Sequence, residues 1–231
     1  MKDHEIQQLS DLDRLTETLI GPEAAMPHDA SSVPIFQTSS FLFDRYEDMA
    51  AVFAGQSDRY IYTRGINPTV AELEALIARM EGVEAARGFA SGMAAISSAV
   101  LPFVEAGSRV VAVNNLYSDA FRLFECVLKK FGVTTDYVDG TDTEAVLAAL
   151  PGASLIYLES PTSWSFTTQD LSAIGAEARR LGVISVIDNS WATPLFQRPA
   201  EFGIDLIVHA ASKYLAGHSD TIAGLVAGPK V

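Results

Sequence analysis

Lys213 sits in AASKYLAGHSD (210–220), directly after an apolar run over 203–208 that reads as a buried strand. A lysine there is costly to bury unless its charge is used or removed. Condensation of its amine with a carbonyl removes the charge and forms a Schiff base. A solvated surface lysine is the bland alternative, and this stretch taken alone favours it. Other residues shift the balance, each placed where a strand ends. Asp188 finishes VISVID, Tyr117 follows RVVAVN, Ser91-Gly92-Met93 follows the run over 85–90 and opens a helix, and Ser212 precedes the lysine.

Each of these has an ordinary explanation. Small residues at a strand–helix junction usually serve packing, loop tyrosines are common, and an acid at a strand end often caps a helix. Together they offer four complementary parts. Glycine and free amides at a helix start make an anion seat. Tyr117 supplies an aromatic plate, Asp188 a carboxylate at a buried strand end, and Lys213 an amine. Phosphate, ring face, pyridine nitrogen and aldehyde of pyridoxal phosphate match those parts in turn. Metal readings fare worse. His4, His28, His209 and His218 have no ligand spacing, and the single Cys126 cannot build a structural zinc site. His209 and His218 read as structural or site-edge groups. A G-x-S-x-G elbow and a P-loop are both absent from the sequence.

The elements that must carry these residues follow from periodicity. Apolar positions at helical spacing predict a short amphipathic helix over 1–20, then an irregular Pro/Ser/Thr-rich arm over 21–45 and a helix over 46–56. Such an apolar, loop-like arm is expected to lie on another surface, a second subunit among them. Asn67-Pro68-Thr69 starts a helix over 70–81, with Leu73, Leu76, Ile77 and Met80 as its core stripe and Gly82 as its end. Strands are predicted over 85–90, 109–114, 133–138, 154–159, 183–188, 204–208 and 221–226. Helices are predicted over 91–103, 118–131, 143–150, 169–181 and 194–198. This alternation predicts an α/β fold with a mostly parallel sheet covered by helices on both faces.

At 231 residues and 48% apolar content, the chain can bury a large core in one domain plus an arm. The expected division is an arm over 1–50 and a cofactor domain over 51–231. A net charge of −13 argues against nucleic acid and anionic membrane as partners. Cys126 falls in a helical pattern and is expected to be a buried, small apolar residue. One cysteine allows no internal disulfide, so a reducing cytoplasm is the default. The charged residues that open this sequence do not read as a secretory signal, so none is expected, and no run in it is long enough to span a bilayer as a helix. The chain stops at GLVAGPKV, a strand leading into a turn, which predicts a further segment.

YTRGINPT (62–69), FASGMAA (89–95), ESPT (159–162), IDNSWATPLFQRP (187–199) and SKYLAGHSD (212–220) together resemble the Cys/Met-metabolism, or trans-sulfuration, family of pyridoxal-phosphate enzymes. The motifs come in the family's order and cover nearly the whole chain. The resemblance implies the large domain of a fold type I enzyme, with a seven-stranded sheet and an N-terminal arm. It implies Lys213 as the Schiff-base lysine, Asp188 as partner of the pyridine nitrogen, and Tyr117 as the ring-stacking, proton-moving residue. Ser91, Gly92, Met93 and Ser212 would bind the phosphate. Tyr62 and Arg64 would reach the phosphate of a neighbouring subunit's cofactor, in a dimer with shared sites within a tetramer. The implied reaction is carbon–sulfur lysis of an amino acid. DNSWATP, Ala210 and ESPTSWSFTTQDL favour β-elimination of cystathionine to homocysteine, pyruvate and ammonia, while YTRGINPT and SDAFRLF fit γ-elimination or γ-replacement enzymes as well.

Four departures stand out. Ala210 replaces a frequent serine, Ser212 a common threonine, Ser163-Trp164 an Asn-Pro, and Ser118-Asp119 the small residues after the stacking tyrosine. The family's C-terminal domain, with the arginine for the substrate carboxylate, has no counterpart here. A non-catalytic fragment that keeps the cofactor site is therefore the alternative of another class.

Overall fold

The strands LIYLE and ISVID contain almost no polar residue until their last position, and the fold explains why. In the computed structural model, which describes residues 30–230, β4 (Leu155–Glu159) and β5 (Ile184–Asp188) are central and buried almost throughout. Apolar residues on both faces are what a sheet covered on both sides requires. The sheet has seven strands in the order β1-β7-β6-β5-β4-β2-β3. The others are β1 (Ala85–Phe89), β2 (Arg109–Val113), β3 (Thr134–Val138), β6 (Leu206–His209) and β7 (Gly224–Gly228). β2, β3, β4, β5 and β6 pair in parallel, whereas β7 runs antiparallel to both β1 and β6. The chain passes from β2 to β3 on one side, then returns to place β4 on the other side of β2. That reversal is a topological switch point, where open α/β sheets leave a crevice at the carboxyl ends of the strands.

Alternation along each strand sorts the core into two faces. Val111, Ile156, Leu158, Ile187 and Ile207 face one side, with Val146 of α5 (Thr143–Ala149) and Ile174 of α6 (Leu171–Leu181). Val110, Ala112, Tyr157, Val186 and Val208 face the other, with Ile96 of α3 (Gly92–Val100) and Ala120 of α4 (Ser118–Arg122). The helices start where side chains can satisfy their free amides. Asp142 caps α5 and Asp170 caps α6, each accepting a hydrogen bond 3.0 Å long from the third residue on. Two further helices are α1 (Tyr46–Phe53) and α2 (Pro68–Glu81), and a short α7 spans Thr193–Phe196.

The chain divides into two compact units, residues 1–76 and 77–231. The helix predicted over 1–20 and the first part of the arm lie outside the described residues. Within the N-terminal unit, residues 30–45 are irregular as expected, with one bridge from Ser40 to Tyr62. The segment around Pro34 and Phe36 is tied to the start of α2: Thr69 Oγ1 donates to Pro34 O and accepts from Phe36 N–H, and Asn67 Nδ2 donates to Phe36 O. Asn67 also accepts from Thr69 N–H at 2.9 Å, the cap that Asn-Pro-Thr predicts.

Four sequence expectations are corrected. The helix predicted over 118–131 is three pieces, α4, a π-turn (Leu123–Val127) and a 3₁₀ turn (Leu128–Phe131). Its inner face is taken by Leu123, Phe124 and Leu128, so Cys126 is exposed rather than buried. Leu73 does not join the core stripe of α2, where Ile77 and Ala78 are the buried apolar residues. The last strand begins at Gly224, not at 221, because Ser212 Oγ holds the backbone of Ala223 through its N–H and its carbonyl. Among the described residues, no helix is long and apolar enough to cross a membrane.

Leu158 is fully buried in the middle of this sheet. Leu158→Ala is expected to lower unfolding free energy by about 2–5 kcal/mol, read from urea titration of the two proteins. A loss below ~1 kcal/mol would mean that the strand is not packed on both faces.

Candidate active site

Glu159 and Asp188 end β4 and β5 and are direct partners in the parallel register. Both lie two residues beyond core positions of the α3/α4 face (Tyr157 and Val186), so both carboxylates belong to that face of the sheet. Each is nearly buried. Burial pushes the Glu159 carboxyl up to about 7, and the neighbouring Asp188 charge adds to the effect. Burial also raises Asp188, while hydrogen bonds from Ser190 and the nearby His209 hold part of that rise back. Asp188 Oδ1 accepts from Ser190 N–H at 2.9 Å. It does not cap α7, whose N-cap is Ala192. The carboxyl at the end of this strand is therefore not consumed by the role that most often explains such an acid.

Glu159 anchors the aromatic residue. Its Oε2 accepts from Tyr117 N–H at 2.7 Å and its Oε1 accepts from the Ser163 hydroxyl at 2.5 Å. Sequence reasoning left Glu159 out of the site, although the criterion that singled out Asp188, an acid closing a mostly aliphatic strand, applies to SLIYLE as well. Tyr117 stands at the start of α4, 38% exposed. Its hydroxyl donates to Asp119 Oδ2 at 2.9 Å, and Arg122 holds the other Asp119 oxygen at 2.7 Å. The hydrogen bond to Asp119, then burial, raises the phenol's pKa. Asp119, a departure from the family's small residues, thus orients the phenol.

The turn at Ser91-Gly92-Met93 meets the ends of β6 and β7. Ser91 Oγ caps α3 by accepting from Ala94 N–H, so the first amides of the helix remain for another acceptor. A Cβ at Gly92 would stand 2.6 Å from the Ala210 Cβ, and one at Gly224 would stand 2.1 Å from Ser91 O. Only glycine at both positions lets the helix start approach the chain before Lys213 this closely. Lys213 is exposed and donates its N–H to Ala210 O at 3.0 Å. The Ser212 hydroxyl, expected at a phosphate, is bonded to the backbone of Ala223 instead. Trp191 stacks edge-on between Phe166 and Tyr214, with ring centroids 6.0 and 6.3 Å away.

Tyr62 and Arg64 belong to the N-terminal unit. There the Arg64 guanidinium lies 5.4 Å over the Tyr62 ring, beside an open groove of about 720 Å³ that Ile35, Thr38 and Asn67 also line. Both side chains are exposed.

The raised Glu159 gives a measurable sign. Its folded pKa lies above the ordinary value of 4.5, so the native state binds more protons than the unfolded one between about pH 4.5 and 7. Its contribution to stability is complete below that window and is lost as pH rises through it, by up to ~3 kcal/mol. Glu159→Gln is expected to flatten this part of the pH–stability curve, measured by thermal melts of the cofactor-free chain from pH 4.5 to 8. Parallel curves for both proteins would contradict the burial.

Comparison with known proteins follows this geometry. Residues 17–230 match the family described as Cys/Met metabolism PLP-dependent enzyme. The chain is 43% identical over 199 residues to L-methionine gamma-lyase of Porphyromonas gingivalis, covering 85% of this chain and 50% of that one. It is 37% identical over 199 residues to cystathionine beta-lyase MetC of Bacillus subtilis, covering 86% and 49%. A crystal structure of an O-acetylhomoserine (thiol)-lyase from Campylobacter jejuni, with a pyridoxyl-lysine monophosphate, superposes with a TM-score of 0.87 at 30% identity, covering 94% and 54%. The chain spans about half the length of the curated relatives it matches. Its sheet, its strand-end residues and its sequence place the chain in the Cys/Met metabolism family of pyridoxal-phosphate-dependent enzymes.

Proposed function

We propose that the protein is a pyridoxal-phosphate-dependent carbon–sulfur lyase of sulfur amino acids. The observation that carries this reading is that Tyr117, Asp188, Lys213 and the Ser91-Gly92 turn follow or close β2, β5, β6 and β1, all at the carboxyl ends of strands of one sheet. The residues fit the cofactor. Gly92 and Gly224 keep side chains out of the turn at the helix start, a carboxylate is retained at a buried strand end, and the amine is exposed.

In this reading Lys213 Nζ holds the cofactor aldehyde and the amides of Ser91, Gly92 and Met93 take its phosphate, which the Ser212 hydroxyl reaches by giving up its bond to Ala223 O. Asp188 faces the ring nitrogen and Tyr117 the ring. When bound, the cofactor supplies an electron sink for negative charge developing at the substrate's α-carbon. Once the substrate's amino group has displaced it from the aldehyde, Lys213 Nζ would take and return the α-proton, Asp188 would keep a proton on the ring nitrogen, and the Tyr117 hydroxyl would deliver a proton to the departing sulfur. Residues 51–231 act as the cofactor domain and 1–50 as an arm, with Tyr62 and Arg64 serving a second subunit of a dimer or tetramer.

Two reactions share this apparatus. DNSWATP and ESPTSW favour β-elimination of cystathionine, whereas the name of the Porphyromonas relative, at 43% identity, favours γ-elimination. Cystathionine distinguishes them by its oxo-acid product, pyruvate for β and 2-oxobutyrate for γ.

The purified chain with pyridoxal phosphate is expected to be yellow, and borohydride should fix the label on the peptide that holds Lys213. Lys213→Ala should lose the visible band; a retained band in that variant would sink the assignment. A yellow chain that turns over no sulfur amino acid would instead support the non-catalytic reading. Asp188→Asn should lower turnover by about a hundredfold or more while changing cofactor affinity far less, since its role is electronic. Equal losses in both would assign Asp188 to binding alone.

A further inference from the structure

A second cluster of polar residues lies behind the same strand ends, on the opposite face of the sheet. Glu81 ends α2, His209 ends β6, and neither has any exposed surface. His209 Nε2 is 2.5 Å from Glu81 Oε1. Asn189, the residue after β5, is also fully buried and donates from Nδ2 to the same oxygen at 3.1 Å and to Gln197 O at 3.0 Å. Gln197 Nε2 donates to Asn189 Oδ1 at 2.9 Å and to Ser160 O at 2.8 Å. Glu81 Oε2 and His209 Nδ1 are buried without a partner.

Alternation assigns this cluster its face. His209 and Asn189 follow Ile207 and Ile187 in the α5/α6 core, while Asp188 follows Val186 in the other. Three of the residues it joins are next in sequence to parts of the candidate site. Asn189 follows Asp188, Ser160 follows Glu159, and His209 precedes Ala210, whose Cβ leaves no room for a side chain at Gly92.

A carboxylate buried against an imidazole is a weak source of stability, because desolvation offsets most of the attraction, and two orphaned polar atoms add to the cost. Apolar residues of similar volume would serve the core as well. What a connected network provides, and apolar packing does not, is one fixed arrangement of the backbone segments it joins. We propose that Glu81, His209, Asn189 and Gln197 are positioning residues for the cofactor site: one buried network that fixes the ends of β4, β5 and β6 from behind. This rests on the reading of the strand ends as a pyridoxal-phosphate site. A shift in the network would displace Glu159, Asp188 and the chain leading to Lys213 together.

The test titrates the full chain with pyridoxal phosphate, following Kd, the circular dichroism of the bound cofactor's visible band, and the Tm of the cofactor-free protein. His209→Leu removes the ring partner of Glu81 Oε1, Gln197→Ala removes the side-chain links to Ser160 O and Asn189 Oδ1 and leaves the Glu81–His209 contact in place, and His209→Gln keeps a polar partner for Glu81. Ser185→Ala is the control. It breaks a buried bond to Asp205 near the other end of β5, where Ser185 Oγ donates at 2.7 Å. His209→Leu and Gln197→Ala are expected to raise Kd about tenfold and weaken the dichroic band, with His209→Gln within about threefold of the parent. Ser185→Ala should lower Tm with Kd unchanged. Network variants that lose Tm as the control does, yet keep Kd and dichroism, would overturn the inference. If His209→Leu does not fold, Gln197→Ala decides it by the same criteria. A parent chain that takes up no pyridoxal phosphate overturns the cofactor reading itself, and the inference with it.

Discussion

A parallel sheet with helices on both faces has no free surface on which to place chemistry. Apart from Ser185, which bonds Asp205, the residues along β4 and β5 are spent on packing until the final position, where Glu159 and Asp188 end the run with carboxyls. Reactive groups are thus confined to the carboxyl edge, and the strand order reverses beside β2, the place where open α/β sheets bind their ligands. The arrangement of Tyr117, Asp188 and Lys213 is a consequence of that confinement. They come from β2, β5 and β6, which are far apart in sequence but neighbours or near-neighbours in the sheet.

Confinement has an electrostatic consequence. Two carboxyls at adjacent strand ends are both drawn out of water, and burial raises both. The protein treats them differently. Glu159 is enclosed by the Tyr117 N–H and the Ser163 hydroxyl and serves its neighbours, while Asp188 keeps one oxygen outside its bond to Ser190 N–H. Ser163 and Asp119 both depart from the family's usual pattern, and both find partners here, one on Glu159 and one on the Tyr117 hydroxyl. Two of the four departures named from the sequence thus bear on the orientation of the aromatic residue. The seat for the phosphate is governed by a separate steric constraint, the glycines that let α3 approach Ala210 and β7.

Much of this was legible before any coordinates. Seven strands fell close to their predicted ranges because runs such as VISVID and RVVAVN are long, apolar and bounded by turn residues. Lys213, Asp188 and Tyr117 were visible as chemistry-bearing residues just beyond such runs. Local patterns say less where the backbone departs from a regular helix. The neighbours of Cys126 are apolar, which points it inward, but a π-turn places Leu123, Phe124 and Leu128 on the inner face. Ser212 stands where the resemblance puts phosphate, and its hydroxyl also holds the backbone of Ala223, eleven residues on.

The sequence by itself determined the order of the elements, the residues available at each strand end and the family to which they belong. Those follow from periodicities and motifs that span a few residues each. Only the tertiary structure decided that Glu159 would hold Tyr117, 42 residues away, and that Glu81 would meet His209, 128 residues away. Such partners depend on which strands become neighbours and which face of the sheet each residue takes. Neither is written in any local window, because hydrogen bonds across a sheet are fixed by strand order and register rather than by separation along the chain.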